Sequence, residues 1–241
     1  MKSLKWLTAV YSAYLLVLVL GNNLPAHVRA FMLEPAKDRP VPGSKTESLG
    51  NLDPSKPAML RYRLDAPQST FIAHAFAGGL LWFKGHDHLV AVREFTGEAQ
   101  LDPGSIAASS LQITARAGSM EETSSVFTDA QKQVINKELR EIVLLPDQYP
   151  DIVFKSTSVT GRAAGPNAFD LKIAGELTLH GVTRPITIPT RVTVTGNDLR
   201  AEGEFSIERG DFKVKATSAV HGLVRVRDKV KFTFDIVGHR L

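Results

Sequence analysis

The chain has 241 residues, enough for one domain with a substantial core, and its formal net charge at neutral pH is +4. Residues 1–30 contain three cations, Lys2, Lys5 and Arg29, and no acid, so the rest of the chain is nearly neutral. A nearly neutral domain lacks the clustered cations that nucleic-acid binding requires. The sequence contains no cysteine, which excludes disulfides, thiolate metal sites and a cysteine nucleophile.

The N-terminus has the organisation of a secretory signal. Lys2 and Lys5 precede an uncharged stretch at residues 6–20, and a polar Gly-Asn-Asn break follows it. The apolar run is shorter than the roughly 20 residues of a comfortable membrane span. The sequence is compatible both with cleavage of this segment after Ala30 and with its retention as an uncleaved membrane anchor. We therefore expect a periplasmic or otherwise exported protein, which is tethered to the inner membrane if this segment is kept.

Residues 31–58 form the next segment and hold five of the thirteen prolines in the chain. Few of them are large and apolar, so the segment cannot bury enough surface to offset the entropy of ordering it. We predict a Pro-rich linker here. The remaining residues, 59–241, are assigned to one folded domain.

From Leu60 onward, apolar residues recur at every second position, which predicts β-strands with one buried face. In the run AFDLKIAGELTLHG, Leu171 and Ile173 share a face, and Lys172 and Glu176 lie on the other. Long alternating strands favour closure of the antiparallel sheet into a barrel, because closure removes exposed edges. The glycines and alanines at inward positions are expected to let the strands bend and to leave room inside.

Residues 129–145 interrupt this alternation. Thr128 and Gln131 have the spacing of a capping box, which predicts that a helix begins here. The segment also carries apolar residues at helical spacing: Ile135, Leu139 and Ile142. We predict one amphipathic α-helix that either plugs or flanks a mouth of the barrel, or covers a sheet edge.

Several stretches of the chain resemble the YceI-like family of lipocalin-like, polyisoprenoid-binding envelope proteins. The most specific are Tyr149-Pro150 followed by Phe154, and the run GELTLHGVTRP that begins at Gly175. The resemblance extends from about Tyr62 to Gly238. It implies an extended antiparallel barrel of about eight strands with a helical excursion, and a cavity that holds a long isoprenoid or other lipid-like chain. No catalytic chemistry is established for the family as a whole. It leaves a homodimer open as well as a monomer.

A long apolar ligand needs a continuous apolar lining with few polar anchors. The inward positions of the predicted strands supply such a lining, and we expect these residues to contact the ligand: Phe95, Leu111, Ile113, Phe154, Leu177, Leu179, Phe205, Phe232 and Phe234. Burial of a hydrocarbon stabilises a complex by about 0.8 kcal/mol per methylene, so tight binding requires no specific hydrogen bond. The sequence therefore does not identify the lipid.

The run Gly85-His-Asp-His88 departs from the commoner pattern of the family and marks a divergent member. On a strand, His86 and His88 share a face and could supply half of a zinc or copper site. The remaining ligands would come from nearby acids or from other histidines: His74, His180 and His221. Alternatively, the histidines form hydrogen bonds at the barrel rim or contact the polar head of a ligand, and His180 caps backbone groups at its turn.

The sequence carries no nucleophile elbow, no His-Glu-x-x-His motif and no paired-carboxylate signature. We therefore predict that the protein is not an enzyme and needs no cofactor. The leading hypothesis is an exported carrier that binds a hydrophobic, lipid-like chain. Two alternatives are a histidine-dependent metal-binding envelope protein and an envelope interaction module whose barrel is filled.

Overall fold

A computed structural model describes residues 59–79, 85–215, 218–219 and 224–241. The predicted signal or anchor (1–30) and the predicted linker (31–58) lie outside these ranges. Within them, no helix is both long and apolar enough to span a membrane.

The described ranges form one antiparallel sheet of eleven strands: β1 (Leu60–Gly78), β2 (His88–Val92), β3 (Phe95–Leu101), β4 (Ser110–Arg116), β5 (Met120–Glu122), β6 (Asp151–Gly165), β7 (Ala168–Leu179), β8 (Val182–Thr195), β9 (Asp198–Glu208), β10 (Ser218–Ala219) and β11 (Val224–Arg240). Eight of these strands pair in the order β1-β3-β4-β6-β7-β8-β9-β11, and β11 pairs again with β1. The sheet therefore closes on itself, and the predicted eight-stranded antiparallel barrel is confirmed.

The short strands β2 and β5 extend the sheet at one end of the barrel. β2 pairs with the second half of β1 from Ile72 to Ala75, and β5 pairs with the other edge of β2. The α-helix of the described ranges, α1 (Asp129–Glu138), follows β5 and precedes β6. We call this end, where β5 leaves the sheet and β6 begins, the helix end, and the other end of the barrel the far end.

Helix α1 begins as the sequence predicts. The Thr128 side chain accepts a hydrogen bond from the Gln131 backbone N–H, and the Gln131 side chain accepts one from the Thr128 N–H. The predicted apolar stripe is wrong at its last position, because Ile142 is 42% exposed and Val143 packs inward in its place. The cause is the π-helix that continues α1 over Leu139–Leu144, since its wider turn shifts the inward face by one residue.

The barrel interior follows the predicted alternation, but two inward glycines do not leave room. A Cβ atom on Gly175 would lie 2.4 Å from the Lys155 carbonyl oxygen and 2.6 Å from Cζ of Phe154. A Cβ atom on Gly203 would lie 2.4 Å from the Pro189 carbonyl oxygen and 2.6 Å from Cζ of Phe234. A phenylalanine ring therefore already occupies the space over each glycine. The expectation of free space is wrong at these two positions.

Candidate functional site

The barrel contains a cavity to which all eight of its strands contribute lining residues. The cavity has a volume of about 130 Å³. Among the described residues that line it, none carries a charge, and four have polar side chains: Gln100, Ser109, Ser110 and Thr190. All other lining side chains are apolar, so the cavity presents a hydrocarbon-like surface to anything inside it.

Six of the nine predicted ligand contacts line this cavity: Leu111, Ile113, Phe154, Leu177, Phe205 and Phe234. The other three, Phe95, Leu179 and Phe232, pack in the surrounding core. Strand parity placed all nine inside the barrel, but parity does not give the height of a residue along the barrel axis. Whether any of the nine contacts a ligand stays a prediction.

Phe95 and Phe232, two of the nine, belong to an aromatic cluster beside the cavity. Phe232 stacks on Phe205 with centroids 4.9 Å apart, and Phe95 meets the edge of Phe71 at 6.4 Å. Phe71 also contacts Phe232 at 6.0 Å. These rings fill part of the interior by contacting each other, so Phe95 and Phe232 bury their surface in the core.

The sequence interpretation missed several lining residues, of which Thr190 follows the same parity rule. Leu64 and Phe71 lie on β1, on either side of an irregularity between Asp65 and Thr70 that interrupts the alternation. Thr190 lies between Ile188 and Val192 on the inward face of β8. Thr190 was not predicted as a lining residue because its side chain is polar.

The Thr190 hydroxyl is a poorly satisfied polar group in the cavity wall. The residue is 6% exposed, and the hydroxyl donates to the Ile188 carbonyl oxygen of its own strand at 3.3 Å. Hydroxyl hydrogen bonds normally measure 2.5–3.0 Å, so this contact is weak. By contrast, the Ser109 hydroxyl oxygen accepts a 3.0 Å hydrogen bond from the Asp102 N–H.

His88 forms a buried pair with Glu122 at the helix end. Its Nδ1 lies 2.7 Å from Oε2 of Glu122, whose side chain is 0% exposed. The other carboxylate oxygen accepts hydrogen bonds from the N–H groups of Leu89 (3.1 Å) and Ser124 (2.8 Å). An ionised carboxylate can only accept, so Nδ1 is the donor. Sequence interpretation missed Glu122, although it shares the inward parity of Met120 on β5.

Burial and hydrogen bonding act in opposite directions on Glu122. Burial raises the pKa of its carboxyl group, but the hydrogen bonds from His88, Ser124 and Leu89 outweigh burial and hold the pKa below its ordinary value. The Glu122 N–H also donates to Oδ1 of Asn136 at 2.7 Å, which links the pair to α1. Glu122 therefore connects β2, β5 and the helix.

The described histidines that could have shared a metal contact aromatic rings or other polar groups instead. His86 and His88 both contact the ring of Phe127, with centroids 5.7 and 5.1 Å apart, respectively. His74 lies on β1, where its Nε2 is 2.9 Å from the Thr233 hydroxyl. His221 lies outside the described ranges. Within those ranges, no three histidine or acidic side chains are arranged to hold a metal ion.

His180 lies in the turn between β7 and β8, with its ring 4.2 Å from that of Tyr149. The next residue, Gly181, has a φ of +71°, and a Cβ there would lie 2.8 Å from the Tyr149 ring. Burial, together with the charge of Lys215, lowers the pKa of His180. The two most specific motifs of the sequence, Tyr149-Pro150 and His180-Gly181, therefore meet in one packing contact.

A cluster of one histidine and two carboxylates lies at the far end. His239 on β11 is hydrogen-bonded to two carboxylates, with Nδ1 2.8 Å from Asp198 and Nε2 3.1 Å from Asp65. The hydrogen bonds to Asp198 and Asp65 raise the pKa of His239. This cluster was not predicted from the sequence, because its members are separated by up to 174 positions.

Known proteins of similar fold include two bacterial proteins of solved structure. BcnA of Burkholderia cenocepacia superposes with a TM-score of 0.56 at 22% identity, over 72% of this chain and 98% of that one. A domain from Saccharophagus degradans, described as polyisoprenoid-binding and implicated in plant cell wall breakdown, superposes with a TM-score of 0.51 at 12% identity. That superposition covers 76% of this chain and 99% of the domain. At these identities the likeness is one of fold.

Sequence comparison gives relatives at higher identity. Protein YceI of Escherichia coli O17:K52:H18 is 30% identical over 152 residues, which are 59% of this chain and 72% of that protein. A UPF0312 protein of Vibrio cholerae is 30% identical over 132 residues, 52% of this chain and 64% of that protein. The profile of the YceI-like domain matches residues 62–238. The predicted family is thus confirmed, and this chain belongs to the YceI-like family.

Proposed function

We propose that the protein binds a long apolar chain, of the polyisoprenoid or other lipid type, inside its barrel. The observation that carries this proposal is the cavity, whose described lining is uncharged and almost entirely apolar. A cavity with these properties favours burial of hydrocarbon over binding of a polar metabolite. The polyisoprenoid-binding description of the structural neighbour from Saccharophagus degradans adds support from the same fold.

The mechanism is non-covalent burial. Each methylene that leaves water for the apolar cavity stabilises the complex by about 0.8 kcal/mol, so affinity grows with chain length and no reacting group is needed. The helix end offers a route for entry, because no residue of α1 itself is buried. We propose that α1 moves aside when the ligand enters.

The proposed location is outside the cytoplasm. Its support is the order of charged and apolar residues at the N-terminus, where Lys2 and Lys5 precede an apolar run. Peptide mass mapping of the mature protein from fractionated cells would show whether residues 1–30 are removed and whether the protein stays with the inner membrane. A homodimer likewise stays a prediction, which light scattering of the purified protein would test.

The decisive experiment is native mass spectrometry of protein purified without detergent, followed by mass spectrometry of its organic extract and elemental analysis of the same sample. We expect a bound lipid-like molecule of defined mass and no stoichiometric metal. Stoichiometric zinc or copper without lipid would contradict the proposal. A His86→Ala, His88→Ala variant would then show whether the metal depends on these residues.

A charge in the cavity wall tests the site itself. Phe154→Asp places a carboxylate in the lining, and Lys155→Asp places one on the exposed outer face of the same strand as a matched control. We expect Phe154→Asp to lose the bound lipid and Lys155→Asp to keep it, because a buried, unpaired charge is strongly disfavoured. A folded Phe154→Asp protein that keeps its lipid would show that the ligand lies elsewhere.

A further inference from the structure

The Thr190 hydroxyl is buried in the cavity wall, and its neighbours on the adjacent strands offer no better partner. Thr190 pairs with Leu171 on β7 and with Gly203 on β9, and neither has a polar side chain. The ring of Phe234 covers Gly203. The one hydrogen bond that the hydroxyl makes within the described residues is the long contact to Ile188.

A hydroxyl in this position has a cost unless something in the cavity satisfies it. Valine has nearly the same shape, and burial of its second methyl group would leave no hydrogen-bonding group unsatisfied. The hydroxyl can donate to a ligand oxygen or accept from a ligand hydroxyl by rotation about its C–O bond. An oxygen atom on the ligand, next to Thr190, would satisfy it.

The charge state of the ligand follows from the rest of the lining. No described lining residue carries a charge, and the other polar lining side chains, those of Gln100, Ser109 and Ser110, are neutral. A phosphate or carboxylate drawn into this cavity would lose its hydration without gaining a cation. An alcohol, carbonyl or ether oxygen has a much smaller desolvation cost, which a single hydrogen bond offsets.

We propose that Thr190 hydrogen-bonds the ligand, and that the cavity selects an uncharged, oxygen-bearing apolar chain over the bare hydrocarbon and over the corresponding phosphate. This inference rests on the proposed function, since it names the chemical class of chain that the same cavity binds. It makes Thr190 a specificity-determining residue within a site whose affinity comes mainly from apolar burial.

Three probes of equal chain length test the inference on the full chain after co-purified lipid has been removed: farnesol, its saturated hydrocarbon farnesane, and farnesyl phosphate. Affinity is measured by displacement of a fluorescent apolar dye. We expect Thr190→Val to bind farnesol about three- to tenfold more weakly than the parent protein, with unchanged or tighter binding of farnesane. Farnesyl phosphate should bind the parent protein at least tenfold more weakly than farnesol.

Two further variants separate hydrogen bonding from altered packing. Thr190→Ser keeps the hydroxyl and should keep the preference for farnesol, and Thr187→Val changes an exposed threonine on the outer face of β8 and should alter nothing. If Thr190→Val changes farnesol and farnesane binding by the same factor, or if farnesyl phosphate binds as tightly as farnesol, the inference is wrong. If none of the probes binds the parent protein, the proposed function itself fails.

Discussion

Removal of the Glu122 carboxylate should destabilise the helix end by an amount that depends on what replaces it. Glu122→Ala leaves the N–H groups of Leu89 and Ser124 without their acceptor and removes the partner of His88. An unsatisfied buried donor costs about 1–3 kcal/mol, so we expect the free energy of unfolding to fall by about 3–5 kcal/mol. Glu122→Gln keeps an oxygen for the two N–H groups and should lose about 1–2 kcal/mol.

The contribution of the pair is isolated by a double-mutant cycle. We expect Glu122→Gln and His88→Ala to show a coupling free energy of about 1–2 kcal/mol in urea unfolding followed by circular dichroism. The value lies below that of a fully buried pair because the His88 side chain is 23% exposed. The exposed pair of Arg93, which directly follows β2, and Glu121 on β5 is the matched control and should show a coupling below about 1 kcal/mol.

The pH dependence of the same variants gives an independent check. The pKa of Glu122 is lower in the folded protein than its ordinary value of 4.5, so its charged form stabilises the fold above pH 4.5. That stabilisation is lost as the pH falls through the lowered pKa. The stability difference between the parent and Glu122→Gln should therefore shrink below pH 4.5. A difference that stays constant down to pH 3, or equal losses in Glu122→Gln and Glu122→Ala, would refute the assigned role of the carboxylate.

Three further predictions concern the rest of the barrel. Gly203→Val should lower the free energy of unfolding by about 2–3 kcal/mol in urea titrations, because the valine side chain would meet the Pro189 carbonyl oxygen and the Phe234 ring. Gly165→Ala is the control and should change the free energy of unfolding by less than about 1 kcal/mol, because its Cβ would lie 3.7 Å from its nearest neighbour. Tyr62→Phe removes a buried hydroxyl that has no hydrogen-bond partner among the described residues, so thermal unfolding should show unchanged or slightly higher stability. A decrease in the free energy of unfolding of more than about 1 kcal/mol would mean that the hydroxyl does form a hydrogen bond in the folded protein. NMR titration should place the pKa of His239 above 6.5, and Asp198→Asn should lower this pKa. Charged His239 stabilises the fold fully below pH 6.5, and this stabilisation disappears as the pH rises through the raised pKa of His239.

The alternation of apolar residues predicted antiparallel strands that favour closure, because each strand buries one face and exposes the other, and the family resemblance added the eight-stranded, lipocalin-like form. On β7 this rule separated Leu171 and Ile173 from Lys172 and Glu176 without error. The capping box of Thr128 located the start of α1 for a similar reason, since both hydrogen bonds join residues three positions apart. Local chemistry of this kind can be read from the chain directly.

Features that depend on distant parts of the chain could not be predicted in this way. The π-helix over Leu139–Leu144 turns Ile142 outward, and the pattern of apolar residues does not encode it. The partner of His88 is Glu122, 34 positions away, and no spacing rule joins them. Thr190 was different, because its parity was correct and only its polarity argued against an inward position.

The buried polar groups of the barrel differ in whether the protein satisfies them. Glu122 uses both carboxylate oxygens in hydrogen bonds to protein atoms, which marks it as part of the framework. The Tyr62 hydroxyl and Nε2 of His180 are buried without partners among the described residues, but neither residue lines the cavity. Thr190 combines a weakly satisfied hydroxyl with a position in the cavity wall. Substitution of Tyr62 should therefore affect folding alone, whereas Thr190→Val should leave the stability of the empty protein nearly unchanged and alter which chain it binds.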